Sequence, residues 1–155
     1  MEAPIFLPNE AATREWAARA LRPLIDIAFA QEQGALVTLD GPLGAGKSAL
    51  ARALLRAAGV AGAVPSPTYT LVEPYRCGGL QFLHMDLYRL SDPDELALLG
   101  VDTLRQRGTV ALVEWATRLP DVLGDADLAV ELAYQGTGRQ LSYTWRRPEN
   151  GVVIQ

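Results

Sequence analysis

Eight residues restrict this chain more than anything else in it: Gly41-Pro42-Leu43-Gly44-Ala45-Gly46-Lys47-Ser48. The run satisfies G-x-x-x-x-G-K-[ST] at every position. A chance match somewhere in 155 residues is on the order of one per cent from average composition. Each position has a physical task. The glycines let the backbone turn sharply, so that several N–H groups point inward at one anion. A helix starting near Lys47 adds its positive dipole end to the same place. The candidate phosphate contacts are therefore Leu43, Gly44, Ala45, Gly46, Lys47, Ser48 and Ala49. Lys47 is expected to reach the β/γ-phosphates, and the Ser48 hydroxyl to ligate Mg²⁺.

The flanks fit such a loop. Ala35 to Asp40 is a short apolar run with β-branched members, read as a buried strand. Ser48 to Ala58 is rich in Ala, Leu and Arg and stops at Gly59, as a helix does. Upstream, Pro4 to Leu7 reads as a short edge strand. Asn9 caps a helix in which Trp16, Ala20, Leu24 and Ile27 recur at helical spacing, and Pro23 is expected to kink or interrupt it. Downstream, Thr70–Arg76 and Leu80–Asp86 are strand-like, with Cys77-Gly78-Gly79 as the hairpin turn. Ser91 or Asp92 with Pro93 and Glu95 resembles a helix start. Thr109–Val113, ending at Glu114, is another buried strand, and Leu128–Tyr134 and Gln140–Trp145 alternate like half-exposed strands. The expectation is one α/β domain over residues 1–155, P-loop NTPase-like and three-layered. Its central mixed sheet would be parallel near the loop and antiparallel toward the C-terminal edge.

A phosphate loop creates a need for a carboxylate that holds Mg²⁺ or its waters at a neighbouring strand end. Asp86 and Glu114 both qualify. Alternation places Phe82, His84 and Asp86 on one face. One acid could hold the metal while the other orients or deprotonates water. His84, the single histidine, reads as a structural residue, because nothing in the sequence supplies it with a catalytic partner. Cys77 reads as a turn residue and Trp115 as core packing. Ser66 to Thr70 is a hydroxyl-rich stretch that could sense a γ-phosphate.

Composition removes several classes. Hydrophobic residues make up 49% and charged residues 21%, a globular balance rather than a disordered one. No apolar run approaches the roughly 20 residues of a membrane span, and no secretory signal is visible at the start. One cysteine forms no internal disulfide and fits a reducing compartment, so the cytoplasm is expected. The net charge is −4 with 14 Lys and Arg scattered along the chain. A role on RNA would therefore pass through a partner.

The motifs taken in order resemble the TsaE (YjeE) family. They are the loop Gly41–Ser48, Ser66-Pro67-Thr68-Tyr69-Thr70-Leu71-Val72-Glu73-Pro74-Tyr75, His84-Met85-Asp86-Leu87-Tyr88-Arg89-Leu90 and Leu112-Val113-Glu114-Trp115. Ser91 to Leu96, Leu99-Gly100 and Leu7 to Thr13 are also similar, so the likeness spans about residues 7–141. The resemblance implies a cytoplasmic ATPase needed to form threonylcarbamoyladenosine next to the tRNA anticodon. It implies action with TsaB and TsaD, TsaD carrying the transfer chemistry, with ATP binding and hydrolysis resetting the assembly. By motif position it assigns ATP/ADP and Mg²⁺ handling to Lys47, Ser48, Asp86 and Glu114, and a switch-like loop to Thr68. Glu10, Gly138 and Arg139 would border the nucleotide. Pro42 stands where the family commonly has Asp, Ser48 replaces a frequent Thr, and the stretch Ala116–Pro120 is shorter than usual.

Two rival readings remain from the sequence. A small-molecule kinase would bring an Arg-rich lid, and only Arg146-Arg147 cluster late in the chain. A nucleotide-gated adaptor would have negligible catalysis, against which stand Asp86 and Glu114. A GTPase would carry an Asn-Lys-x-Asp motif, which is absent.

Overall fold

The computed structural model describes residues 4–62, 64, 72–88, 94, 104–116 and 125–146. Asn9 opens the first helix as its short polar side chain suggests: its Oδ1 accepts the Ala12 N–H at 3.0 Å. That helix, α1 (Glu10–Ala30), buries Trp16, Ala20, Leu24 and Ile27 at the expected spacing. Pro23 does not interrupt it. A proline removes one backbone donor and crowds the preceding turn. Here Ala20, Leu21, Leu24 and Ile27 are buried on both sides of it, and their packing holds the helix through that position.

Seven strands form one sheet: β1 (Ile5–Leu7), β2 (Ala35–Asp40), β3 (Val72–Cys77), β4 (Leu80–Asp86), β5 (Thr109–Glu114), β6 (Leu128–Gln135) and β7 (Gly138–Trp145). Their order is β1-β7-β6-β2-β5-β4-β3. The four central strands β6, β2, β5 and β4 run parallel. The antiparallel pairs lie at both edges, β6–β7–β1 on one side and the β3–β4 hairpin on the other. The mixed sheet is thus as expected, with a second antiparallel edge added. Gly78 and Gly79 make the two-residue hairpin turn with φ of 57° and 82°. Cys77 is the last residue of β3 rather than part of the turn, and its thiol donates to the Ala58 carbonyl.

Period-two alternation sorts the core onto both faces of the sheet. Val37, Leu39, Val110, Leu112, Phe82, Leu128 and Val130 pack with α1 and with the second helix, α2 (Lys47–Ala57). Leu36, Ala111, Val113, Leu83 and Met85 form a second cluster on the opposite face. The helix start read at residues 91–95 lies outside the described residues.

At the end of the sheet away from the glycine loop, one buried carboxylate ties three elements together. Asp127 Oδ2 accepts the Leu36 N–H of β2 at 2.8 Å, and its Oδ1 accepts from Gln31 beyond α1 and from Arg146 beyond β7. Asp127→Ala leaves the buried Leu36 N–H without its acceptor, so a loss of about 2–3 kcal/mol is expected. Asp125→Ala, whose side chain is 88% exposed and 4.0 Å from Arg146, should cost less than about 0.5 kcal/mol. Urea unfolding of the two variants checks the contrast; equal losses would show that Asp127 is no clasp.

Candidate functional site

The glycine loop lies where its sequence context requires, between β2 and α2. Gly46 is the N-cap of α2 with φ of 108°, and a Cβ there would stand 2.6 Å from the Arg139 guanidinium. Gly41, with φ of 150°, brings the backbone so near Leu132 that a Cβ would meet its carbonyl at 2.4 Å. Only glycine avoids both collisions. The Tyr134 hydroxyl donates to the Leu43 carbonyl and pins the exposed tip of the loop.

Lys47 is buried and turned back into the loop. Its Nζ donates to the Gly41 carbonyl at 2.7 Å and the Pro42 carbonyl at 2.9 Å, and lies 4.3 Å from the centre of the Trp115 ring. Burial lowers its pKa from the ordinary lysine value, opposed by the charges of Glu114, Asp86 and Asp40. Two carbonyls and an aromatic face thus satisfy the desolvated ammonium.

The two acids named from the sequence come together because of register. In the parallel β4–β5 pair, Asp86 stands opposite Glu114, and in β2–β5 Leu39 stands opposite Glu114. Three strand ends are therefore level with the start of the loop. Glu114 is 2% exposed. The Ser48 hydroxyl is 3.0 Å from both of its carboxylate oxygens and donates to them. Asp86 is half-buried, and its Oδ1 accepts the Tyr88 N–H at 3.0 Å. Burial raises the Asp86 pKa above the usual carboxylate value, with Glu114 adding to the rise. The Tyr88 N–H, His84 and Lys47 oppose it.

His84, read as a structural residue, does have a partner at the site. It is fully buried, and its Nε2 lies 2.5 Å from Glu114 Oε2. The signal lay in the alternation: His84 shares a face with Asp86, and parallel pairing with β5 brings Glu114 to that face. Trp115 does pack on the second core cluster. It also does more, with φ of 61°, its N–H on the Leu39 carbonyl and its ring 5.0 Å from that of Tyr88. A bulky residue in the left-handed region is strained, and such strain collects at functional sites.

Beside the loop, a cleft of about 250 Å³ runs between α1 and α2, lined by Glu10, Arg14, Ala49, Arg52, Arg56 and Arg139. An adjoining cleft of about 140 Å³ adds Gly138. Glu10 is thus gathered with Gly138 and Arg139 next to the loop although it lies far from them in sequence. The structure also corrects the expectation of scattered basic residues, since four arginines share this one cleft. Thr68 lies outside the described residues. Among those described, no three His, Cys, Asp or Glu side chains form a group that could hold a metal. The donors at the loop are one hydroxyl and two carboxylates. All are hard oxygen ligands, of the kind and number that suit a Mg²⁺ ion held mainly by phosphate and water.

Comparison with known proteins adds the following. The family described as "Threonylcarbamoyl adenosine biosynthesis protein TsaE" matches residues 7–141. A "tRNA threonylcarbamoyladenosine biosynthesis protein TsaE" of Haemophilus influenzae is 41% identical over 110 residues, which is 71% of this chain and 70% of that protein. Its namesake in Bacillus subtilis is 36% identical over 118 residues, 76% of this chain and 73% of that protein. The crystal structure of Bacillus subtilis YdiB superposes with a TM-score of 0.67 at 26% identity, covering 92% of this chain and 84% of that one. No described helix is long and apolar enough to cross a membrane.

The raised Asp86 pKa has a stability consequence. With a folded value above the unfolded one, ionisation of Asp86 costs folding free energy at neutral pH, and the cost is relieved as pH falls through the raised value. Asp86→Asn keeps an acceptor for Tyr88 N–H and removes the charge. It should stabilise the protein at pH 7, with the gain shrinking as pH falls toward 3.8, below which both states are protonated. Urea unfolding of both proteins across that range measures it; a gain that does not vary with pH would overturn the assignment.

Proposed function

The chain belongs to the TsaE family, and on that premise we propose that it is a Mg²⁺-dependent ATPase of tRNA threonylcarbamoyladenosine formation. The observation that carries this reading is the meeting of Ser48 and Glu114 at 3.0 Å, with Asp86 in register beside them, at the mouth of a complete phosphate loop. The N–H groups of Leu43 to Ala49 cradle the phosphates at the start of α2. Lys47 exchanges the Gly41 and Pro42 carbonyls for the β/γ-phosphates, a stronger, charge-assisted contact. Ser48 turns its oxygen toward the metal side, and Asp86 and Glu114 hold the ion or its waters. Bound Mg²⁺ would neutralise charge that develops on the transferred phosphoryl group. Of the two acids, Glu114 is the deeper and better oriented, which suits it to hold or polarise water. Glu10, Gly138 and Arg139 border the remainder of the nucleotide in the clefts beside the loop.

The partners are TsaB and TsaD, and tRNA is reached through them. A net charge of −4 supports this. So does the size of the arginine-lined cleft, about 250 Å³, which suits a small ligand rather than a nucleic-acid backbone. The compartment is the cytoplasm, where tRNA is modified.

Two substitutions separate binding from turnover. Lys47→Ala removes the charge facing the phosphates and should weaken ATP roughly 10- to 100-fold; unchanged affinity in a fluorescent-nucleotide titration would sink that role. Glu114→Ala should keep metal-free nucleotide affinity, lose the part of the affinity that depends on Mg²⁺, and reduce hydrolysis by about 100-fold or more. Steady-state hydrolysis is measured for the chain alone and with TsaB, TsaD and tRNA. Turnover that rises with the partners supports the proposal. A phosphorylated small-molecule acceptor, with no response to the partners, would make the chain a kinase instead.

A further inference from the structure

Glu114 has two kinds of partner, and nucleotide treats them differently. Ser48 has a single hydroxyl proton, and both it and Lys47 are drawn to the nucleotide and its metal in the ATP–Mg²⁺ reading on which this inference rests. A carboxylate 2% exposed needs a partner that stays. His84 is that partner by position. It lies at the floor of the site, fully buried, with Phe82 and Asp86 on the same face of β4. Among the described residues its Nδ1 has no hydrogen-bond partner, and Glu114 is the one group that His84 holds. A proton on Nδ1 would be a buried donor with nothing to receive it, so the tautomer of least cost carries its proton on Nε2, aimed at Glu114 Oε2. Two residues apart in a strand, His84 and Asp86 take successive places on one face, and the β5 register sets Glu114 opposite Asp86. Glu114 therefore has its backbone at the level of the metal side and its carboxylate drawn down onto the imidazole.

We infer that His84 is a positioning residue for this site: its Nε2–H holds the Glu114 carboxylate in place while Ser48 is recruited to Mg²⁺. It touches neither nucleotide nor metal and acts through Glu114. Partners that orient a metal-handling carboxylate in this way typically contribute about 10- to 100-fold to metal affinity or activity.

The test uses the full chain and a fluorescent ATP analogue, titrated in Mg²⁺ and again in EDTA, with thermal melting to establish folding. The gain in affinity on adding Mg²⁺ is the quantity read. His84→Leu should keep its EDTA affinity within about twofold and lose roughly tenfold of the Mg²⁺-dependent gain. His84→Gln, whose amide N–H reaches the position of Nε2, should recover much of it, whereas His84→Asn, which reaches only the position of Nδ1, should not. In a Glu114→Ala background, His84→Leu should have no further effect on the gain, because residues acting as one unit are not additive. If the Leu variant melts below the assay temperature, the Gln and Asn pair decides alone. A wild-type chain with no Mg²⁺ gain would overturn the ATP–Mg²⁺ reading itself. A wild-type gain that survives in His84→Leu, or equal losses in Gln and Asn, would overturn only the role of His84.

Discussion

The site depends on one buried carboxylate. Glu114 is nearly inaccessible, and a charge at that depth is tolerable only while it is hydrogen-bonded. Ser48 from the loop and His84 from β4 meet that need from two sides. The loop, the P-loop helix and the β4–β5 pair are thereby linked through a single side chain. Moving any of them by an ångström would leave the buried carboxylate or the buried imidazole without its partner, so the contacts tie the strand ends to the loop.

Around that carboxylate the structure accepts local strain. Asp86 is kept half-buried, where its charge is disfavoured. Lys47 is desolvated and satisfied by loop carbonyls. Trp115 occupies the left-handed region, where a bulky side chain belongs only under constraint. Its constraints are visible: the N–H to Leu39, the Lys47 ammonium and the Tyr88 ring. Groups placed at a cost to folding and gathered beside one loop are the usual sign of a site arranged for a ligand rather than for stability.

Much of the candidate site was legible in the sequence. The loop pattern names its own turns, because only glycine readily adopts the backbone angles seen at Gly41 and Gly46. The apolar runs ending in Asp86 and Glu114 identify two strand-end acids. What stayed hidden depends on separations that one-dimensional spacing does not carry. Arg14, Arg52, Arg56 and Arg139 look dispersed along the chain, yet helix faces three to four residues apart and the start of β7 set them around one cleft. His84 looked structural because its partner lies 30 residues away on another strand. Pro23 looked like a helix break because local rules omit the packing on either side of it.

The sequence by itself determined the strand–loop–helix unit, the Asn9 cap, the β3–β4 hairpin and the family to which the chain belongs. These follow from backbone conformational preference and period, which act over a few residues. Only the tertiary structure decided that β5 lies between β2 and β4 with Glu114 level with both Leu39 and Asp86. Strand order and register follow from how all apolar faces are buried at once. That is a property of the whole sheet and its two helices, and no single segment encodes it.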